Sequence, residues 1–312
     1  MATEYSEVPD NFEEIKACFI TDFAEYKTVM ENAALVVFYD TCAVKNHANL
    51  PEQLQAKISA YLKGKGGIAV ITGCVLMELA GDEHHIYVRI IDFFKMLSSN
   101  GIKIILFEES RVYDFLADAY QSAAAINEKL RYAVRAFAVP PSTIRETVKK
   151  SPELTALVGD GAVPIGRDLC GHFFSLVRSH KRHGDNLGEQ LIGICIYMLL
   201  HLPAEPSCKF TVYTDDKGAA GSISKGVKSI PPAVTDKRPG IFSSAKIFQS
   251  MYAENFFTDE AELKEAIKKI YPAHISVLAL MEKSDLQTSE YTFTAENLAQ
   301  LISQGNTIRI AF

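Results

Sequence analysis

Four short apolar runs most limit what this chain can fold into. Ala34–Tyr39 (ALVVFY), Ile68–Ile71 (IAVI), Ile102–Phe107 (IKIILF) and Phe210–Thr214 (FTVYT) lack the apolar–polar alternation of a sheet with one wet face. Runs of this kind suit strands covered on both sides, as in a parallel sheet. Helical stripes separate them. Leu54, Ile58 and Tyr61–Leu62 predict a helix that ends at the glycines of Gly64–Gly67, and Ile86, Ile90, Phe93–Phe94 and Leu97 predict another, closed by Asn100–Gly101. Residues 11–32 read as one acidic amphipathic helix carrying Phe12, Ile15, Phe19 and Phe23. Strand and helix alternate, which is the pattern of an α/β protein with a mainly parallel sheet.

Residues 108–184 read as helical and then loop-like, with Pro140–Pro141, Gly159–Gly161, Pro164 and Gly166 as breakers, and form an expected insertion between core elements. Helical periodicity returns over Asp185–His201, and Lys217–Lys228 reads as a loop bearing glycine, serine and lysine. Pro231–Pro232 and Pro239–Gly240 bracket an expected boundary. The expected organisation is an N-terminal helix (1–32), a main domain (33–235) and a small C-terminal α/β extension (236–312). In the last of these, Asp259 to Glu262 suits a capping box and Thr307–Phe312 alternates like a terminal strand.

At 312 residues and 48% hydrophobic composition the chain can bury a substantial core. Its net charge of −6 argues against a broadly basic surface that grips nucleic acid, though not against a local basic patch. The six cysteines stand singly, without the close pairs of tetrahedral zinc sites, and read as reduced thiols. The start of the chain lacks a signal-peptide pattern, and the apolar run Leu191–Leu202 is too short to span a bilayer. A soluble cytoplasmic protein with no membrane attachment is expected.

Acids follow the strand ends. Asp40 ends the first run, Asp215 and Asp216 end the last, and Glu78 and Glu189 lie on predicted helices. Carboxylates just beyond parallel strands face the crevice where such sheets bind ligands. Asp40, Glu78, Glu189 and Asp216 could converge at one sheet edge, and oxygen ligands select hard cations such as magnesium. Asp185 lies four residues before Glu189, on the same face if both are helical, and competes with it as third acid. Taken singly, each acid reads more readily as a turn former, an N-cap or a solvated side chain, and it is the joint pattern that points to a site.

Val36–Val44 (VVFYDTCAV) resembles the opening strand of the PIN-domain family, in which an Asp follows an apolar run. Ile71–Leu79 (ITGCVLMEL) resembles the family's second motif, Gly188–Ile194 (GEQLIGI) its Gly-Glu motif, and Val212–Lys217 (VYTDDK) its Thr-x-Asp motif. The resemblance covers about residues 34–220 in four patches. It implies a three-layer α/β/α fold and a ribonuclease dependent on Mg2+ or Mn2+. The implied ligands are Asp40, Glu78, Glu189 and Asp216, with Asp215 as neighbour and Thr214 as an orienting hydroxyl.

In this reading the metal activates water for attack on a phosphodiester. The basic stretch Arg178–His183, with Arg178, Lys181 and Arg182, would guide an RNA backbone together with Lys217, although a solvated loop explains it equally well. The insertion and the C-terminal region offer surface for a protein partner or a second copy. They also motivate an alternative in which a PIN-like module keeps the fold and acts as a catalytically silent binding or scaffold protein. A metal-dependent phosphatase acting on a small molecule is a third reading.

Overall fold

A computed structural model of the chain describes residues 5–138, 142–159, 166–202, 209–230, 238–281, 287–305 and 307–312. The Pro140–Pro141, Asp160–Gly161, Pro164 and Pro231–Pro232 breakers, the expected boundary at 235/236 and Cys208 lie outside these residues. The protein is α/β, as its alternating pattern predicts. Among the described residues a six-stranded, all-parallel sheet contains β1 (Phe19–Ile20), β2 (Leu35–Tyr39), β3 (Gly67–Thr72), β4 (Ile104–Phe107), β5 (Lys209–Tyr213) and β6 (Gly240–Phe242). Their spatial order is β1-β4-β3-β2-β5-β6. All of β3, and β2 from Val36 onward, are buried, because helices cover both faces.

That order places a topological switch beside β2. The chain proceeds from β2 to β3 and β4 on one side, then returns to β5 and β6 on the other. In open parallel sheets the ligand crevice lies outside the carboxyl ends of the strands at such a switch. Tyr39 of β2 pairs with Tyr213 of β5, so Asp40 and Thr214 emerge side by side, with the Asp40 N–H donating to the Tyr213 carbonyl at 2.9 Å.

The helices of the first half are α1 (Phe23–Asn32), α2 (Thr41–Ala48), α3 (Glu52–Gly64), α4 (Gly73–Ala80) and α5 (Val88–Ser99). The single helix expected over 11–32 does not form. Two 3-10 turns, Phe12–Glu14 and Lys16–Cys18, lead into β1, whose Phe19 and Ile20 pair with Ile104 and Ile105. Only after Asp22 accepts the Glu25 N–H at 2.9 Å does a helix begin. Sheet pairing outweighs helical spacing here, since an edge position gives those backbone groups partners.

Residues 108–184 are largely helical: α6 (Val112–Tyr120), α7 (Ala123–Phe137), α8 (Thr143–Val148), α9 (Pro152–Val158) and α10 (Cys170–Arg178). α6 and α7 pack on α11 (Leu187–Leu199), which is buried along nearly its whole length. The loop expected over 217–228 is instead α12 (Lys217–Lys228). Asp216 caps it by accepting the Ala219 N–H at 3.0 Å, and Ala219, Ala220, Ile223 and Val227 bury one face. A cap of this type contributes about 1 kcal/mol.

Beyond β6 come α13 (Ser244–Ala253), α14 (Glu260–Ile270) and an antiparallel sheet of β7 (Ile275–Leu280), β8 (Ser289–Phe293) and β9 (Arg309–Ile310), with α15 (Ala295–Ser303) beside it. Asp259 caps α14, accepting the Glu262 N–H, and Glu262 in turn accepts the Thr258 N–H. β6 follows the boundary expected at 236 yet completes the central sheet, so that sheet draws on both sides of it. Among the described residues no helix is long and apolar enough to cross a membrane.

Candidate acidic site at the switch point

Asp40 is the N-cap of α2 and is buried. Its Oδ1 accepts the Thr41 N–H at 2.8 Å, and its Oδ2 accepts the Thr214 hydroxyl at 2.8 Å and the Cys42 thiol at 2.9 Å. Burial raises its pKa despite these three donors. Thr214 Oγ1 also accepts the Asp216 N–H at 3.1 Å and thereby ties the end of β2 to the loop after β5. Burial, with Asp40 beside it, pushes the Cys42 thiol far above its usual range, which excludes a thiolate nucleophile at neutral pH.

Glu78 arrives from α4, whose N-cap Thr72 directly ends β3. Its Oε2 accepts the Thr41 hydroxyl, and its Oε1 lies 2.9 Å from Lys181 Nζ. The carboxylate rests on Gly188 at the start of α11: a β-carbon added there would lie 2.6 Å from Oε1 and 2.7 Å from Oε2. The next residue, Glu189, has its pKa raised to about 8, chiefly by burial, which a backbone hydrogen bond partly offsets, and further by the charges of Asp40, Glu78 and Asp216. Among the described residues Glu189 has no side-chain ion pair. The four expected acids thus share one electrostatic neighbourhood, contributed by β2, α4, α11 and the β5–α12 loop.

The fit to a cation is incomplete in geometry and good in chemistry. Among the described residues no three His, Cys, Asp or Glu side chains are close enough to ligate one ion together. The donors are nevertheless all oxygens, which suits a hard divalent ion. Lys181, buried, supplies the positive charge that Glu78 needs. Burial alone would lower its pKa, but Glu78 and Asp185 carry it well above the ordinary lysine value.

Several expected site residues are engaged elsewhere. Asp185 does not share a helical face with Glu189, because α11 begins at Leu187. It pairs with Lys181 and accepts the Thr143 hydroxyl at 2.8 Å, the Arg182 N–H at 2.9 Å and the Leu187 N–H at 3.2 Å. Asp215 joins two helices and Tyr271: it accepts from Asn46 of α2 at 2.6 Å, from the Ser244 N–H and hydroxyl of α13 at 2.7 and 2.6 Å, and from the Tyr271 hydroxyl. Those donors fill the lone pairs a metal would need.

The basic stretch is likewise committed. Arg178 is buried against Glu108 and Glu109, at 2.9 and 2.6 Å. Arg182 pairs with Glu146 at 2.9 Å, and Lys217 reaches Ser276 and Glu290. A run of basic residues in sequence does not reveal which of them have carboxylate partners in the fold. Thr41, Lys181 as a carboxylate partner, and Gly188 as the rest for Glu78 were missed as site residues in these roles; position next to Asp40 and Glu189 was the one signal for Thr41 and Gly188.

Comparison of the chain with protein-family models, with curated proteins and with solved structures returns no match.

Proposed function

We propose that the chain is a PIN-like, metal-dependent phosphodiesterase acting on RNA, with Asp40, Glu78, Glu189 and Asp216 as its acidic site. One observation carries this reading: Glu189 is a largely buried carboxyl group that feels the charges of Asp40, Glu78 and Asp216 and has no ion-pair partner among the described residues. Such a group stays protonated or requires a positive charge from outside. Mg2+ or Mn2+ held there would polarise a water and offset charge on the phosphoryl oxygens.

The chain's own residues do the rest. Thr214 donates its hydroxyl to Asp40, and Thr41 donates its hydroxyl to Glu78, which orients both carboxylates. Asp216 commits one oxygen to its helix cap. Lys181 limits the repulsion that Glu78 adds.

The expected result is that wild-type protein with Mn2+ cleaves single-stranded RNA, while Asp40→Asn and Asp216→Asn each slow cleavage about a hundredfold or more, the scale of removing one group that stabilises transition-state charge. Cleavage by both variants at the wild-type rate would end this assignment. Lys181 favours a second reading, a silent PIN-like binding or scaffold protein, because it already supplies a cation to the pocket. Calorimetric titration separates the two: Mn2+ binding abolished by Asp40→Ala supports the nuclease, and no Mn2+ binding supports the silent module.

A further inference from the structure

None of the four acids lines either of two adjoining recesses, of about 720 and 610 Å³, beside the C-terminal half of α2. The recesses share Ala48, Asn49 and Arg89 and so form one continuous groove. Four exposed cations line it: Lys45, Arg89, Lys95 and Lys269. Unlike Arg178, Lys181, Arg182 and Lys217, none of them has an ion-pair partner among the described residues. Arg89 instead donates to the Asn49 side chain at 3.2 Å, which holds the guanidinium at the seam of the two recesses.

Two carboxylates, Glu52 and Asp92, also line the groove, so cations outnumber acids there in a chain whose net charge is −6. At the rim, Tyr87 is 55% exposed and Val88 65%, an aromatic ring and an apolar side chain left open to solvent.

We propose that this groove binds single-stranded nucleic acid, its cations tracking the phosphates and the Tyr87 ring stacking on a base. Unpaired cations interleaved with an exposed aromatic residue are what a sequence-tolerant single-strand site needs. A purely polyanionic partner would have no use for the ring. The assignment deepens the nuclease reading and rests on it for the identity of the polymer. The groove lies on the helix that Asp40 caps: at about 1.5 Å per residue, Lys45 and Asn49 stand roughly 7 and 13 Å along α2 from the acid. A strand positioned at the acids would reach the groove within a few nucleotides.

Fluorescence anisotropy with the full chain, a labelled single-stranded 12-mer RNA and EDTA tests binding apart from cleavage. Wild type is expected to bind the RNA more tightly than polyglutamate of equal charge. The double variant Lys45→Glu, Arg89→Glu should bind at least tenfold more weakly, with the slope of log affinity against log salt reduced by about 1.4 for two lost phosphate contacts. Tyr87→Ala should weaken RNA binding about tenfold with the salt slope unchanged. Lys103→Glu, a charge reversal at an exposed site outside both recesses, should stay within twofold.

The proposal is overturned if wild type fails to prefer RNA, if the groove variants bind like wild type, or if Lys103→Glu weakens binding as much as they do. Groove-dependent binding by a wild-type protein that cleaves nothing with Mn2+ would reject the nuclease reading and leave the groove standing.

Discussion

Glu189 shows how a single residue can report on its surroundings. With its folded-state pKa raised from 4.5 to about 8, it holds its proton at neutral pH in the metal-free protein. The contribution to stability follows: it is fully present below about pH 4.5 and is lost as pH rises through about 8. A divalent ion bound to Glu189 must displace that proton. Titration of Mn2+ at pH 7 in buffers of different ionisation enthalpy should therefore register release of close to one proton, falling toward none by pH 9.5, and Glu189→Gln should abolish the release. Gly188 is the second test at this scale. Gly188→Ala puts a methyl group against the Glu78 carboxylate, and because Lys181 and Thr41 already hold that carboxylate, it cannot simply swing away. RNA cleavage should fall about tenfold to a hundredfold, with little loss of secondary structure by circular dichroism. The Gly-Glu pair was legible in sequence as a motif, but the reason for its glycine was not, since Glu78 is remote along the chain.

Among elements, the contact of α7 with α11 and α12 is the most sterically determined. The Phe137 ring lies against Gly193 of α11 and Gly226 of α12, and a β-carbon at either glycine would collide with it. Those glycines bring both helices onto one aromatic ring. Gly226→Ala should improve the local helix propensity of α12 and nevertheless destabilise the protein by about 1–3 kcal/mol, the usual cost of overpacking a core. Urea denaturation reads the sign, and Phe137→Leu in the same background should recover part of the loss. Gly226 also bears on why 217–228 reads as a loop: composition signals a breaker, whereas this glycine serves close packing. The opposite error occurs at 11–32, where apolar residues at helical spacing hide a strand whose partner, β4, lies far along the chain.

Over the whole molecule, Asp215 joins α2, α13 and Tyr271, and with them the central sheet to the C-terminal region. Beside it, buried His47 lies 3.1 Å from the Ser244 hydroxyl through Nε2, while Nδ1 has no hydrogen-bond partner among the described residues. Burial lowers the His47 pKa to about 4, against a smaller opposing effect of Asp215. Its folded-state pKa is depressed, so folding favours the neutral ring. Its contribution is fully present above about pH 6.5 and is lost as pH falls toward about 4, by roughly 3 kcal/mol in all. Glu189 acts with the opposite sign over part of this range, so the difference between wild type and His47→Gln is the quantity to measure. In urea titrations that difference should shrink or reverse from pH 7 to pH 4.5.

The α/β class, the central strands and the positions of Asp40 and Asp216 at their ends were legible in sequence, because unbroken apolar runs and the residues ending them are local features. Asp40 and Asp216 are fixed in that way: each directly follows or closely trails a strand and caps the next helix. Only the tertiary structure decided which charges are already paired. Asp185, Asp215, Arg178, Lys181, Arg182 and Lys217 find partners across the fold, whereas Lys45, Arg89, Lys95 and Lys269 have no ion-pair partner among the described residues. The physical reason is range. Burial and strand pattern follow from neighbours in the chain, whereas a carboxylate or ammonium is free or neutralised according to what lies within a few ångströms in space, and residues far apart in sequence determine that.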